Sequence, residues 1–348
     1  MHDGSGQAPF GGTVSIRDVS VAKPSRIETD AEFADALGPV RHKLLQRHVG
    51  VEARHIADED ETALDLSVDA AETLLDRHAG LRERLDVLIV CTQSPDYVLP
   101  PNSCLLHGRL GLAPRVAAFD VPHACSAYIY ALLIARGLAA SGSAREILIV
   151  TADTYSRYLH PQDRSTRAVF GDGAAATWVS VADGGRGVLD VVCGTDGTGF
   201  DKFYIPAGGT RQPVTDALRA ADAETRQGNV RSPDTIHMAG GEMLAFVRDS
   251  IPDHIAEVLD RNGVTLQDLS QIFLHQASSV VLDTIVSCLG VAEDRVPRNL
   301  ARHGNLVSTS IPALLDDALR AERLAEGDLV LLCGFGAGLS WGSALVRW

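Results

Sequence analysis

The chain has 348 residues, 45% of them hydrophobic and 22% charged, and a net charge of −14. That length and apolar content suffice for two core-forming halves and exclude a disordered chain, while the acidic balance argues against broad attraction to nucleic acid or an anionic membrane. No apolar run approaches the ~20 residues of a membrane helix, and the polar, glycine-rich start from Met1 to Gly12 lacks a signal-peptide core, so a cytoplasmic protein is expected.

Leu64, Val68, Ala71 and Leu75 recur at helical spacing, and Gly80 closes that helix before a strand-like run at 87–91. A second strand is expected at 116–121, then a helix through Tyr128, Leu132 and Leu133 to Gly137, then a strand at 147–150. This is the rhythm of buried, alternating elements in an α/β protein. Residues 182–234 are richer in glycine and polar side chains and read as a connection with loops. The rhythm then returns: a helix to about Asn262, a strand at 272–274, helices at 280–289 and 311–321, and strands at 329–332 and 343–347. Two similar halves, 1–182 and 183–348, suggest internal duplication, although no residue-level repeat stands out.

The chemistry is expected at Cys125, in Asp120-Val121-Pro122-His123-Ala124-Cys125-Ser126-Ala127-Tyr128, where a strand stops and a helix begins. Free N–H groups and the positive dipole end at a helix start favour thiolate over thiol and can hold an oxyanion. Cys91 and Cys333 end strand-like runs and read as small buried hydrophobes. No Cys-x-x-Cys or His-Glu-x-x-His occurs, so neither a disulfide framework nor a zinc site is indicated, and no metal is expected. The glycines of Gly334-Phe335-Gly336-Ala337-Gly338 come near a dinucleotide fingerprint, but no helix follows them, which makes a nicotinamide cofactor a weak reading.

Further along stand His275-Gln276-Ala277-Ser278, His303-Gly304-Asn305 and Ser310-Ile311-Pro312, with Phe170-Gly171-Asp172-Gly173-Ala174 and Phe335-Gly336-Ala337-Gly338-Leu339-Ser340-Trp341-Gly342. With Gly50-Val51-Glu52-Ala53-Arg54-His55-Ile56 and His237-Met238-Ala239-Gly240, their order and spacing resemble a β-ketoacyl-acyl-carrier-protein synthase III of the thiolase superfamily over nearly the whole chain. The resemblance implies a five-layered αβαβα fold of two duplicated halves, the nucleophile Cys125, the hydrogen-bond donors His275 and Asn305, and an oxyanion hole from the N–H groups of Cys125 and Ala337. It implies substrate contacts at Ser278, Arg164, Leu99 and Leu339, no cofactor, an acyl carrier protein or coenzyme A thioester as donor, and a homodimer in which Tyr97, Val98 and Leu99 reach toward the partner's pocket.

Departures from the family pattern shape the function expected. Ser278 stands where an asparagine is usual, Leu44 where a tryptophan stacks on adenine opposite an arginine matched by Arg164, and Ala245 and Val280 where basic residues face the carrier. These favour an acyltransferase of specialised biosynthesis that loads Cys125 and passes the acyl group to a small-molecule hydroxyl, amine or carbon nucleophile. The alternatives are decarboxylative condensation with a malonyl carrier, which His275 and Asn305 permit, and a non-catalytic partner subunit, which an intact Cys-His-Asn set argues against.

Overall fold

The structure, a computed structural model, describes residues 13–29, 31–32, 46–182, 185–219, 221–224 and 229–348. Leu44 lies outside them, as does the side chain of Arg164.

Two sheets organise the chain. The first contains β1 (Thr13–Ala22), β2 (Val87–Cys91), β3 (Ala117–Val121), β4 (Glu146–Asp153) and β5 (Gly173–Ala182), in the spatial order β1-β5-β4-β2-β3. The second contains β6 (Gly187–Thr195), β7 (Gln271–Leu274), β8 (Leu329–Gly336) and β9 (Ser340–Arg347), in the order β6-β9-β8-β7. From their first strands both sheets run antiparallel, antiparallel, then parallel. The duplication invisible in the residues is therefore plain in the topology, with β3 lacking a counterpart among the described residues. We propose residues 182/183 as the join between the halves.

The layers follow from period-2 patterning on strands buried on both faces. Leu88 and Val90 of β2 pack outward against α1 (Ala63–Arg77) and α2 (Asn102–Arg109). Val87 and Ile89 point inward to α3 (Ala127–Ala140). In the second sheet Ile272 and Leu274 face α4 (Gly240–Arg261) and α5 (Ser279–Leu289), while Phe273 joins the central layer with α6 (Ser310–Arg320). Three apolar clusters, the central one covering the inner faces of both sheets, thus hold five layers together, helix-sheet-helix-sheet-helix, as expected. The helix boundaries have local causes as well: Thr62 and Asp65 form a reciprocal capping box at the start of α1, and Gly290 ends α5 at φ 64°. Among the described residues no helix is long and apolar enough to cross a membrane.

Three strands of these two sheets were not expected from the sequence. In β1 the alternation of Val14 and Ile16 is broken by a register shift between Ile16 and Asp18, so Val19 and Val21 fall out of phase with them. In β5 the run Gly173-Ala174-Ala175-Ala176 has little strand propensity and is buried between layers. In the glycine-rich stretch read as loops, β6 pairs along β9 with another register shift. The sequence glycines of the 334–338 run also find their place: they end β8 and turn into β9, with no helix after them.

The two halves touch closely where β8 meets the turn before α3. A Cβ on Gly334 would lie 2.8 Å from the Cys125 carbonyl oxygen and 3.0 Å from the Ser126 Cα, both backbone atoms that cannot swing aside. We expect Gly334→Ala to lower stability by about 1–3 kcal/mol, the usual cost of overpacking, measured by denaturant unfolding; an unchanged midpoint would show that this seam yields.

Candidate active site

Cys125 sits in the turn just after β3, with Ser126 at the N-cap and α3 starting at Ala127. His275 follows β7 directly, its N–H donating to the Cys333 carbonyl at 2.9 Å. Asn305 lies in the corresponding position of the second half, in the loop that leads into α6. Chain ends at the carboxyl edges of parallel strands thus converge from both halves. Cys125, His275 and Asn305 are 3%, 1% and 4% exposed and line one cavity of about 380 Å³.

The Asn305 loop is held by the other motifs of the sequence. Asn305 N donates to Val169 O at 2.8 Å, and Gly171 N donates to Asn305 O at 3.1 Å. Buried Arg54 pairs with Glu28 at 2.7 Å and donates to Phe170 O at 3.1 Å, fixing the same segment. Val307 N donates to Asn305 Oδ1 at 2.8 Å, and Val307 is fully buried at φ 51°, a conformation that costs a β-branched residue energy. With Oδ1 engaged, the Asn305 Nδ2 is the group left to donate.

Cys125 lies under the end of β8. A Cβ on Gly336 would lie 3.0 Å from both Cβ and Sγ of Cys125, so the absence of a side chain there seats the thiol. The next residue, Ala337, lies in the turn, where its carbonyl accepts from Ser340 Oγ at 2.8 Å.

The thiolate expected from helix position is not the resting state. Burial pushes the Cys125 thiol well above its usual range, and the Asp153 carboxyl adds to the effect. A helix terminus supplies at most about 2 kcal/mol, or roughly 1.5 pKa units, whereas full burial moves a group by about 3–5 units. Burial also holds His275 down, at about 3. The pair therefore rests as neutral thiol and neutral imidazole. His275 Nδ1 is buried without a partner, which leaves Nε2 to act toward the cavity.

Of the other expected contacts, Ser278 lines the cavity, but its hydroxyl accepts from Val281 N at 3.4 Å as the N-cap of α5. Val280 lines the same wall. Leu99 is exposed, and Leu339 is buried against Gly199 with reciprocal backbone bonds to Asp196; neither lines the cavity. Arg164 starts a short helix at Arg164–Arg167.

Sequence reasoning missed Asp153 at the end of β4. Its carboxylate accepts from Gln93 N at 2.9 Å and Ser308 Oγ at 2.6 Å, tying the first half to the Asn305 loop, and burial raises it to about 7. It also missed Phe170, Phe203 and Met243 in the cavity wall. An apolar residue carries no sign in sequence that it will face a cavity rather than a core.

The class follows from this architecture: the chain is an α/β enzyme of thiolase-like fold. A solved 3-oxoacyl-(acyl-carrier-protein) synthase III superposes with a TM-score of 0.93 at 36% identity, covering 97% of this chain and all of that one. The priming β-ketosynthase of the R1128 polyketide pathway superposes with a TM-score of 0.84 at 27% identity, covering 99% and 98%. Residues 119–197 match the family description 3-oxoacyl-[acyl-carrier-protein] synthase III, and residues 259–348 match its C-terminal part. The β-ketoacyl-[acyl-carrier-protein] synthase III of Caldanaerobacter subterraneus subsp. tengcongensis is 36% identical over 93% of this chain and 95% of its own length. The chain belongs to the β-ketoacyl-acyl-carrier-protein synthase III family.

The His275 environment has a measurable consequence. Folded His275 stays neutral down to about 3, while its unfolded counterpart protonates near the ordinary 6.5. The unfolded state thus binds more protons in that window, and stability rises with pH across it by up to about 1.4 kcal/mol per pH unit for one proton. Asp153, raised to about 7 from 3.8, acts in the opposite sense between those values. Comparing wild type with His275→Gln cancels Asp153: the variant is expected to show an acid-side slope shallower by up to one proton in urea titrations between pH 4 and 6.5. Equal slopes would contradict a buried neutral imidazole.

Proposed function

We propose that this enzyme is a decarboxylative β-ketoacyl synthase III that loads an acyl group on Cys125 and condenses it with a malonyl unit on an acyl carrier protein. The observation that carries this reading is the presence of Cys125, His275 and Asn305 on one buried cavity. The comparisons favour this alternative over transfer to a small-molecule acceptor, since the relatives that resemble the chain over most of its length bear the synthase name.

In the first step the Cys125 sulfur attacks the donor thioester carbonyl. The thiol proton passes to solvent as the sulfur attacks, and the departing carrier thiolate takes a proton from solvent, giving an acyl-enzyme and a free carrier thiol. The N–H groups of Cys125 and Ala337 hold the oxyanion. In the second, His275 Nε2–H and Asn305 Nδ2–H donate to the malonyl thioester carbonyl. Carbon dioxide leaves, and the resulting enolate attacks the acyl-enzyme carbonyl. The β-ketoacyl carrier forms, and the Cys125 thiolate released takes a proton from solvent. A histidine that remains neutral far below pH 7 suits hydrogen-bond donation here, because it carries no fixed charge to be desolvated when the carrier arm fills the cavity.

A second copy of the chain completes the assembly in this reading. Tyr97, Val98 and Leu99 project into solvent, with Val98 fully exposed, and such a run is costly unless a partner covers it.

Transfer to a hydroxyl or amine is the second reading, favoured by the uncharged cavity wall at Val280 and by Ala245 on α4. Asn305→Ala separates the two. In condensation it keeps acyl loading but loses carbon dioxide release from malonyl carrier by about 10²-fold, as for removal of an oxyanion donor. Discharge of the acyl-enzyme to an acceptor, undiminished in Asn305→Ala and without carbon dioxide release by wild type, would overturn condensation.

A further inference from the structure

A second cavity, of about 710 Å³, adjoins the first. Phe203 lines both, and the oxyanion turn straddles them: Gly336 faces the first, Ala337 the second. An acyl carbonyl held between the N–H groups of Cys125 and Ala337 therefore directs its substituent into the second cavity. That chamber is lined by an unusual share of the chain's rings. The sequence is only 5% aromatic and has six tyrosines, yet Tyr97, Tyr155, Tyr158 and Tyr204 line it, with Phe200 and Phe203.

The inner rings form a connected wall. Tyr155 lies 5.3 Å from Phe170 at 50° and 6.3 Å from Tyr158 at 77°, and Phe170 lies 5.9 Å from Phe203 at 44°. These are the separations and tilts at which aromatic rings attract through their edges and faces, and they present both to a planar guest. A flexible alkyl chain draws no such directional benefit and is better held by a narrow aliphatic tunnel.

Among the polar groups of the lining, which include Thr92, Asp120 and His123, one pair meets the inner rings directly. Tyr155 OH donates to Gln93 Oε1 at 2.5 Å. Burial keeps the Tyr155 hydroxyl protonated, which makes it a lasting donor and fixes the Gln93 amide with Nε2 free to donate.

We propose that the acyl group loaded on Cys125 is an aryl one, its ring seated against Tyr155, Tyr158 and Phe203, with a ring oxygen accepting from Gln93 Nε2. This rests on the reading of Cys125 as the acyl-carrying residue and holds for condensation and simple transfer alike.

The test uses the full chain and four N-acetylcysteamine thioesters, acetyl, octanoyl, benzoyl and hydroxybenzoyl, with loading on Cys125 followed by intact mass. Benzoyl is expected to load at least ~10-fold faster than acetyl or octanoyl, within the range that pocket shape can discriminate. Gln93→Leu should lower the hydroxybenzoyl-to-benzoyl ratio by a further ~10-fold, the penalty for losing one specific hydrogen bond. Acetyl or octanoyl loading as fast as benzoyl would overturn the aryl assignment, and an unchanged ratio in Gln93→Leu would overturn the role of Gln93. Loading of none of the four would instead overturn the acyl-enzyme reading itself.

Discussion

The site depends on the contact between the end of β8 and the turn that carries Cys125. Gly334 lets one half of the molecule approach the backbone of the other, and Gly336 the Cys125 side chain, to within distances that a methyl group would crowd. That approach seats the sulfur beneath Gly336 and draws His275 to the same cavity, because β7 is paired to β8. The pseudo-symmetry of the halves supplies the rest: the loop before one central helix delivers the cysteine, and the loop before the other delivers the asparagine.

Tight packing also sets the electrostatics. A cysteine and a histidine sealed from water rest uncharged, so the protein stores no thiolate-imidazolium pair and the nucleophile gives up its proton only as it attacks. Asp153 is held within the same interior by Gln93 and Ser308, and burial there raises its carboxyl. Its hydrogen bonds tie Gln93, in the wall of the ring-lined chamber, to Ser308, in the loop of Asn305.

Much of this was legible in the chain. Cys125 stood out from its place between an apolar strand and a small-residue helix, a local pattern that the fold preserves. His275 and Asn305 have no such signature: a histidine after a strand and an asparagine after a glycine are ordinary, and only their resemblance to a family motif singled them out. The layers followed from strands buried on both faces, whereas β1 and β6 were hidden by register shifts that break the alternation, and β5 by an alanine run that packs well but has weak propensity. The ring chamber was illegible altogether. Gln93 and Tyr155 lie 62 residues apart and meet only because β2 and β4 run side by side.

The claim on which the account stands is that Cys125 alone forms the acyl-enzyme. Peptide mapping after incubation with a reactive acyl thioester tests it directly, since Cys104 and Cys288 are exposed and compete for any acylation governed by access alone. The account predicts one adduct, on Cys125, formed with stoichiometric release of the donor thiol and absent from Cys125→Ala. An adduct on Cys104 or Cys288 at equal rate, or undiminished loading of Cys125→Ala, would contradict it.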